Sequence, residues 1–143
     1  MNLIVDANIL LGAVLGRSLP FLAEIASRDA VLLVPARMML EARSVAADKR
    51  RVPVADALDR LAAAEAMVTV LDEAHYAYLE EIARERLEGS GLKDWPLLAA
   101  SMALEAPIWT NDRDLFGTGV AVWHTRNISL WNPAEVRLDD GRR

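Results

Sequence analysis

Short apolar runs alternate with longer helical stretches along this chain of 143 residues. The predicted strands are residues 3–5, 31–34, 68–71, 108–110 and 120–123, with 128–131 as a candidate for a further short strand. The predicted helices are residues 9–15, 18–28, 38–49, 53–67, 72–87 and 94–106. Strands that alternate with helices form a mainly parallel sheet with helices on both faces. We therefore expect an α/β fold, a three-layer α/β/α sandwich around a central, mainly parallel sheet of four to five strands.

The length fits one domain, and we expect residues 1–143 to form it, with a polar tail from about residue 134. Apolar residues make up 53% of the chain, which is enough for a core. No apolar run reaches the roughly 18 residues of a membrane span, and the N-terminus lacks the pattern of a signal peptide. There is no cysteine, which excludes thiolate chemistry. These features predict a soluble protein of the cytoplasm.

The net charge of −5 argues against broad electrostatic capture of nucleic acid. The basic residues are nevertheless uneven, and the densest run is Lys49-Arg50-Arg51, with Arg37 and Arg43 shortly before it. This run fits a solvated helix end, and it also fits a local patch that contacts phosphates. Both interpretations stay open at this point.

Acidic residues occupy four related positions in the predicted fold. Asp6 follows the first strand, and Asp112 lies in the turn after the fourth. Glu41 lies on the helix after the second strand, and Asp94 opens the helix before the fourth. Parallel strands bring their carboxyl ends to one edge of a sheet, so Asp6 and Asp112 are expected to meet there, within reach of the other two. Clustered carboxylates repel one another unless a proton or cation offsets their charge, and Mg²⁺ binds such oxygen clusters.

Each of these residues also has an ordinary interpretation. Asp6 and Asp94 stand where a helix cap is favoured, and Asp112 and its neighbour Asp114 are common turn residues. Glu41 alone fits a solvent-exposed position on a helix. A cap can also be a metal ligand, so the two interpretations do not exclude each other.

Four motifs follow one another in a fixed order along the chain. They are Ile4-Val5-Asp6-Ala7-Asn8, Pro35 followed by Glu41, Lys93-Asp94-Trp95 with Leu98-Ala99-Ala100, and Trp109-Thr110-Asn111-Asp112-Arg113-Asp114-Leu115-Phe116. In these motifs the chain resembles the PIN domain nucleases, in particular the VapC-like toxin ribonucleases of bacterial toxin–antitoxin modules. The resemblance extends from about Met1 to Trp131.

The resemblance implies an endoribonuclease that depends on Mg²⁺ or Mn²⁺ and cuts RNA without a covalent enzyme intermediate. By motif position, the metal-binding acids would be Asp6, Glu41, Asp94 and Asp112. A metal held by Asp6, Asp94 and Asp112 would activate a water for in-line attack on phosphorus, with Glu41 binding a second metal or taking the proton. The resemblance also implies a homodimer and a small antitoxin protein encoded beside this chain.

Three further residues take supporting positions in the same motifs. Thr110 matches a hydroxyl that orients the site, and Asn8 matches a polar residue that supports Asp6. Asp114 is a second acid of the last motif, and it would share or replace the role of Asp112.

Two other functions remain as alternatives. A haloacid-dehalogenase-type phosphatase also starts with a strand that ends in Asp, but it needs a second Asp where this chain has Asn8. A non-catalytic binding module could keep the fold without the reaction. The two histidines, His75 and His124, are interpreted as structural or surface residues, and the tryptophans as packing residues in the core or a dimer interface.

Overall fold

The computed structural model describes residues 1–89 and 91–133, and its centre is a parallel sheet of five strands. The strands are β1 (Asn2–Val5), β2 (Val31–Pro35), β3 (Thr69–Leu71), β4 (Ile108–Trp109) and β5 (Val122–Trp123). Their order in the sheet is β3-β2-β1-β4-β5, and every neighbouring pair is parallel. Because β1 lies in the middle, Asp6 at its end lies near the centre of the carboxyl edge. The predicted fold class is therefore confirmed.

Within residues 1–89 and 91–133, six α-helices flank the sheet. They are α1 (Ala7–Val14), α2 (Leu19–Ala26), α3 (Ala36–Ala47), α4 (Ala57–Glu65), α5 (Glu80–Leu87) and α6 (Trp95–Leu104). Helix α1 contacts α2, α3 and α4, whereas α5 packs on α6 and α6 packs on β1, β2 and β4. None of the helices in the described residues has the length and apolar character that crossing a bilayer requires.

The core forms where both faces of the sheet are covered. Leu3, Ile4 and Val5 of β1 are fully buried, which explains why this strand is a continuous apolar run rather than an alternating one. Every residue from Trp95 to Ser101 is also buried, so the first two turns of α6 lie inside the molecule. The Met38–Met39 pair of α3 belongs to the same core, while Leu40 beside it is exposed.

The structure corrects four expectations about local structure. Residues 72–87 are not one helix, because two short 3-10 turns at Glu73–His75 and Ala77–Leu79 precede α5. The helix expected from residue 53 begins at Ala57. Strand β2 includes Pro35, because the missing N–H of this proline does not prevent its pairing with Leu71. Residues 128–130 form a 3-10 turn rather than a strand. The polar tail from about residue 134 lies outside the described residues, as does Ser90 in the break between α5 and α6.

Candidate active site

A chain of hydrogen bonds joins the ends of β1 and β4 at the carboxyl edge of the sheet. Asp6 follows β1, is 2% exposed and accepts a hydrogen bond at Oδ1 from the Asn8 backbone N–H, over 3.0 Å. Its other oxygen, Oδ2, accepts a hydrogen bond of 2.7 Å from the hydroxyl of Thr110, which is fully buried after β4. The Thr110 oxygen in turn accepts a bond of 3.0 Å from the Asp112 backbone N–H. Asp6 therefore caps α1 and is also fixed in orientation toward Asp112.

Burial raises the pKa of Asp6 above its ordinary value of 3.8, although the two hydrogen bonds to its carboxylate act in the opposite direction. The nearby charges of Asp112 and Glu41 raise it further. A buried carboxyl that is held among other carboxyls has a high cost of ionisation. A positive charge in the cleft would remove that cost.

Asp94 is a second buried acid of the cluster. It is 4% exposed, and its Oδ2 is buried with no hydrogen-bond partner among the described residues. Burial raises the pKa of Asp94 to about 8, and the neighbouring carboxyl of Asp112 contributes to this through a hydrogen bond and charge repulsion. The same hydrogen bond lowers the pKa of Asp112. The two carboxyls therefore titrate as a pair, in which burial favours the protonated form of Asp94.

The residue that follows Asp94 is also buried. Trp95 is 2% exposed, and its ring lies 5.8 Å from the ring of Tyr76, centroid to centroid. The guanidinium groups of Arg37 and Arg84 lie 5.3 Å and 5.9 Å from the centroid of the Trp95 ring, within the range of cation–π attraction. Asp94 stands at the N-cap position of α6, as expected, but its side chain makes no cap hydrogen bond within the described residues.

Asp114 joins this pair from the turn after β4. One oxygen each of Asp94, Asp112 and Asp114 lies within 4.8 Å of the others. Gly91, at a φ of +66°, faces Asp114, and a Cβ on this glycine would lie 2.7 Å from the Cβ of Asp114 and 2.9 Å from its Oδ2. Only a residue without a side chain leaves room for the Asp114 carboxylate here. Of the two acids of the last motif, the structure thus brings both to the cluster.

Glu41 and Asn8 lie on the other side of the cluster. A narrow pocket of about 30 Å³ is lined by Asp6, Asn8, Glu41, Lys93 and Asp94, together with apolar residues of α1 and α3. Glu41 is exposed, and Asn8 supports Asp6 through its backbone while its side chain is exposed. All seven residues singled out from the sequence therefore lie at one edge of the sheet. Lys93 was missed, and its charge lowers the pKa of both Asp94 and Asp112.

The donor set fits a hard divalent cation. The candidate ligands are all carboxylate oxygens, which Mg²⁺ and Mn²⁺ prefer. The decisive observation is the Oδ2 of Asp94, which has no partner in the described part of the chain, because a buried carboxylate oxygen without a partner is costly in the absence of a ligand. Asp94, Asp112 and Asp114 would hold such an ion, with Asp6 and Glu41 close by.

The basic run near α3 has partners of its own. Arg43 forms an ion pair with Glu65 at 2.9 Å, Arg37 pairs with Glu73, and Arg50 pairs with Asp48 at 3.4 Å. These contacts favour a solvated helix end over a phosphate-contacting patch, because the acidic partners offset the arginine charges.

A comparison with protein families places this geometry in a known context. The family model that describes the PIN domain matches residues 4–131. The chain belongs to the PIN domain family. PIN domains are generally nucleases, so this membership supports hydrolysis of nucleic acid and replaces the phosphatase alternative. A comparison with curated proteins found no match.

Solved structures share the fold of this PIN domain at low sequence identity. VapBC2 from Rickettsia felis, bound to a DNA fragment from its promoter, gives a TM-score of 0.69 at 16% identity over 87% of this chain and 98% of the other. PAE2754 from Pyrobaculum aerophilum gives 0.68 at 17% identity over 91% and 88%. FitAcB from Neisseria gonorrhoeae gives 0.58 at 19% identity over 87% and 98%.

The bridge between β1 and β4 gives a first prediction. Replacing Thr110 with Val keeps the shape of the side chain and removes both hydrogen bonds that it makes to Asp6 and Asp112. Losing a group that orients metal ligands typically costs about 10- to 100-fold in metal affinity or activity, and we expect a loss of this size in the Mn²⁺ affinity measured by calorimetry.

Thr110→Ser retains the hydroxyl and should retain most of the affinity. Thr118→Val is the matched control, because Thr118 is also buried but donates to the backbone oxygen of Leu115. An equal loss of affinity in the Thr118 variant would contradict a specific role for Thr110.

Proposed function

We propose that this PIN domain is a metal-dependent endoribonuclease that hydrolyses RNA phosphodiester bonds. The observation that carries the proposal is the buried carboxyl of Asp94, with a pKa of about 8 and an unpartnered oxygen, inside a group of four further carboxyl residues. Keeping such a carboxyl inside the fold is costly unless it binds a cation. PIN domain membership makes nucleic acid the substrate class, and the motif resemblance favours RNA.

The chain's own residues prepare the site in separate ways. Thr110 and the Asn8 backbone hold Asp6 in one orientation, and Asp94 keeps a proton until a cation displaces it. Mg²⁺ or Mn²⁺ bound by the carboxylates of this cluster would lower the pKa of a coordinated water and offset the charge of the leaving oxygen. Glu41, exposed at the mouth of the pocket, is placed to serve a second ion or to accept a proton from the attacking water.

The same proposal includes a partner and an assembly state. The motif resemblance to VapC-like toxins, with a fold shared with VapBC2, supports the role of toxin in a toxin–antitoxin pair. We expect a cytoplasmic homodimer that a small antitoxin protein neutralises. Light scattering of the purified protein should give twice the chain mass of 15.7 kDa.

The test is RNA cleavage with and without divalent metal. Purified protein is incubated with end-labelled single-stranded and structured RNA in Mg²⁺, in Mn²⁺ and in chelator. We expect cleavage in metal that chelator abolishes and that an Asp6→Asn preparation, purified in parallel, lacks. Metal binding by calorimetry without cleavage of any RNA would instead favour the non-catalytic binding module.

A further inference from the structure

We propose that a pocket beside the acidic cluster binds one nucleotide of single-stranded RNA, stacking its base on Phe116 and pairing its phosphates with arginines. This subsite rests on the proposed function, since it takes RNA to be the substrate. The pocket has a volume of about 440 Å³ and is lined by Asn111, Arg113, Phe116, His124, Thr125 and Arg126. It lies at the carboxyl ends of β4 and β5, next to the turn that holds Asp112 and Asp114.

An exposed aromatic stack forms one wall of this pocket. Phe116 is 51% exposed, and its ring lies 4.8 Å from the ring of His124, centroid to centroid, at an interplanar angle of 27°. A single exposed apolar side chain is ordinary on a protein surface. Phe116 differs because a second ring holds it in place inside a pocket, which leaves it half exposed for a planar partner. Bases of single-stranded RNA are such partners, because every base has a π face.

Arginines supply the charge that the phosphates need. Arg113 and Arg126 are exposed and line the same pocket, and neither forms an ion pair within the described part of the chain. Both arginines lie close enough to His124 to act on its imidazole. Burial lowers the pKa of that imidazole, and the charges of Arg126 and Arg113 lower it further. His124 is therefore neutral at pH 7, and the guanidinium groups are the cations available to phosphate oxygens.

A path of shared residues connects the stack to the acidic cluster. Between them lies a further pocket of about 260 Å³, which shares Asn8 with the acidic pocket and shares Asn111 and Thr125 with the stacking pocket. Arg17 lines this middle pocket and also lacks an ion pair among the residues described. An RNA strand can thus follow the carboxyl edge of the sheet, with one phosphate at the acids and a flanking base at Phe116.

The walls of this path are braced across two strands. The Asn111 side chain donates to the Thr125 hydroxyl over 3.0 Å and accepts from the Thr125 backbone N–H over 2.9 Å. The indole N–H of Trp109 also donates to the Thr125 hydroxyl, over 3.1 Å. These bonds fix the loop after β5 against the loop after β4, so the subsite is formed before RNA arrives. A chain with a net charge of −5 cannot attract RNA broadly, so local contacts of this kind must supply the affinity.

The experiment measures binding without cleavage. Fluorescence anisotropy in chelator, where every variant has the same metal-free cluster, compares labelled single-stranded RNA with an abasic ribose–phosphate strand of equal length. Phe116→Ala should weaken binding of the RNA by about fivefold or more and leave the abasic strand unaffected. Arg126→Gln should weaken both strands and make the slope of log affinity against log salt shallower by about 0.7.

Matched variants keep the outcome informative. Phe116→Trp should restore RNA binding, and Tyr78→Ala, at an aromatic residue that is 71% exposed outside the path, should change neither strand. Equal weakening of RNA and abasic strand by Phe116→Ala, or no weakening of either, would overturn the subsite. Cleavage by the wild-type protein in Mn²⁺ is scored separately. Cleavage without any effect of Phe116 on binding overturns the subsite alone, and base-dependent binding without cleavage overturns the nuclease alone.

Discussion

Replacing Asp6 with Asn is expected to reduce metal-dependent RNA cleavage by on the order of 1,000-fold or more while the fold stays intact. A catalytic metal supplies several kcal/mol of transition-state stabilisation, and each 1.36 kcal/mol corresponds to tenfold in rate, from which the estimate of about 1,000-fold follows. Asn keeps the size of Asp6 and an oxygen for the Asn8 N–H, but it removes the negative charge. Initial rates of cleavage of an end-labelled RNA in Mn²⁺ measure the loss.

The fold should tolerate this change because the Asp6 carboxylate is itself unfavourable in the metal-free protein. Burial raises its pKa, so removing the charge should leave the midpoint of thermal unfolding in chelator unchanged or higher. Asp59→Asn, at an exposed carboxylate on α4, is the matched control and should cleave at the wild-type rate. Cleavage by the Asp6 variant at the wild-type rate would remove Asp6 from the site.

The sequence predicts the parts of the fold that rest on strong local patterns. The β1 and β2 runs are apolar because both faces of those strands are buried, and the prolines at the start of α2 and α6 stand in the first helical turn, where their missing N–H costs nothing. The 72–87 region was predicted wrongly because the helical spacing of its second half, such as Glu80 with Arg84, does not extend back to residue 72. The buried Tyr76 interrupts it, and its hydroxyl accepts a hydrogen bond of 3.4 Å from the Arg37 backbone N–H. This is a tertiary contact that no local pattern contains.

The candidate site also has parts that the sequence predicts and parts that depend on tertiary packing. Topology alone brings Asp6 and Asp112 to one edge, because parallel strands end together. The burial of Asp94 is a result of tertiary packing, and the close approach of Asp114 depends on the bare Cα of Gly91. The stack of Phe116 and His124 was not predicted, since the two residues come from loops after different strands and share no motif spacing. Parallel pairing of β4 with β5 is the signal that could have placed them together.

Replacing Asp94 with Asn is expected to abolish cleavage and, in the metal-free protein, to remove a loss of stability that develops as pH rises. The ordinary pKa of this carboxyl is 3.8, and in the folded protein it is about 8. Between these values the folded protein keeps a proton that the unfolded chain has released, so the free energy of unfolding falls as pH increases. The pKa of Asp112 is lowered in the folded protein, so its ionised carboxylate stabilises the fold once the pH exceeds its ordinary pKa of 3.8. Above that pH this stabilisation is constant and adds no further dependence of stability on pH.

The Asn variant has no proton to lose at position 94, and its amide N–H can still donate to Asp112. In chelator we expect equal thermal midpoints for variant and wild type at or below about pH 4 and a midpoint at least about 5 °C higher for the variant at pH 9. Differential scanning calorimetry across this range measures the difference, with Asp59→Asn expected to follow the wild-type slope.

At alkaline pH, metal should make the wild type more stable than the Asp94 variant. Mn²⁺ at pH 9 is expected to raise the midpoint of the wild type, whose Asp94 is ionised and free to bind, and to raise that of the Asp94 variant far less. Below about pH 8 the ion must displace the proton, so the wild-type affinity should rise by up to about tenfold per pH unit. A Mn²⁺ affinity that is independent of pH between 6 and 8, or an Asp94 variant that Mn²⁺ stabilises as strongly as wild type, would show that Asp94 is not a ligand. One carboxylate explains all three expected effects of replacing Asp94, which are lost activity, higher stability without metal and weaker stabilisation by metal. The ionised Asp94 binds the cation, and the same ionised group destabilises the folded protein when no metal is bound.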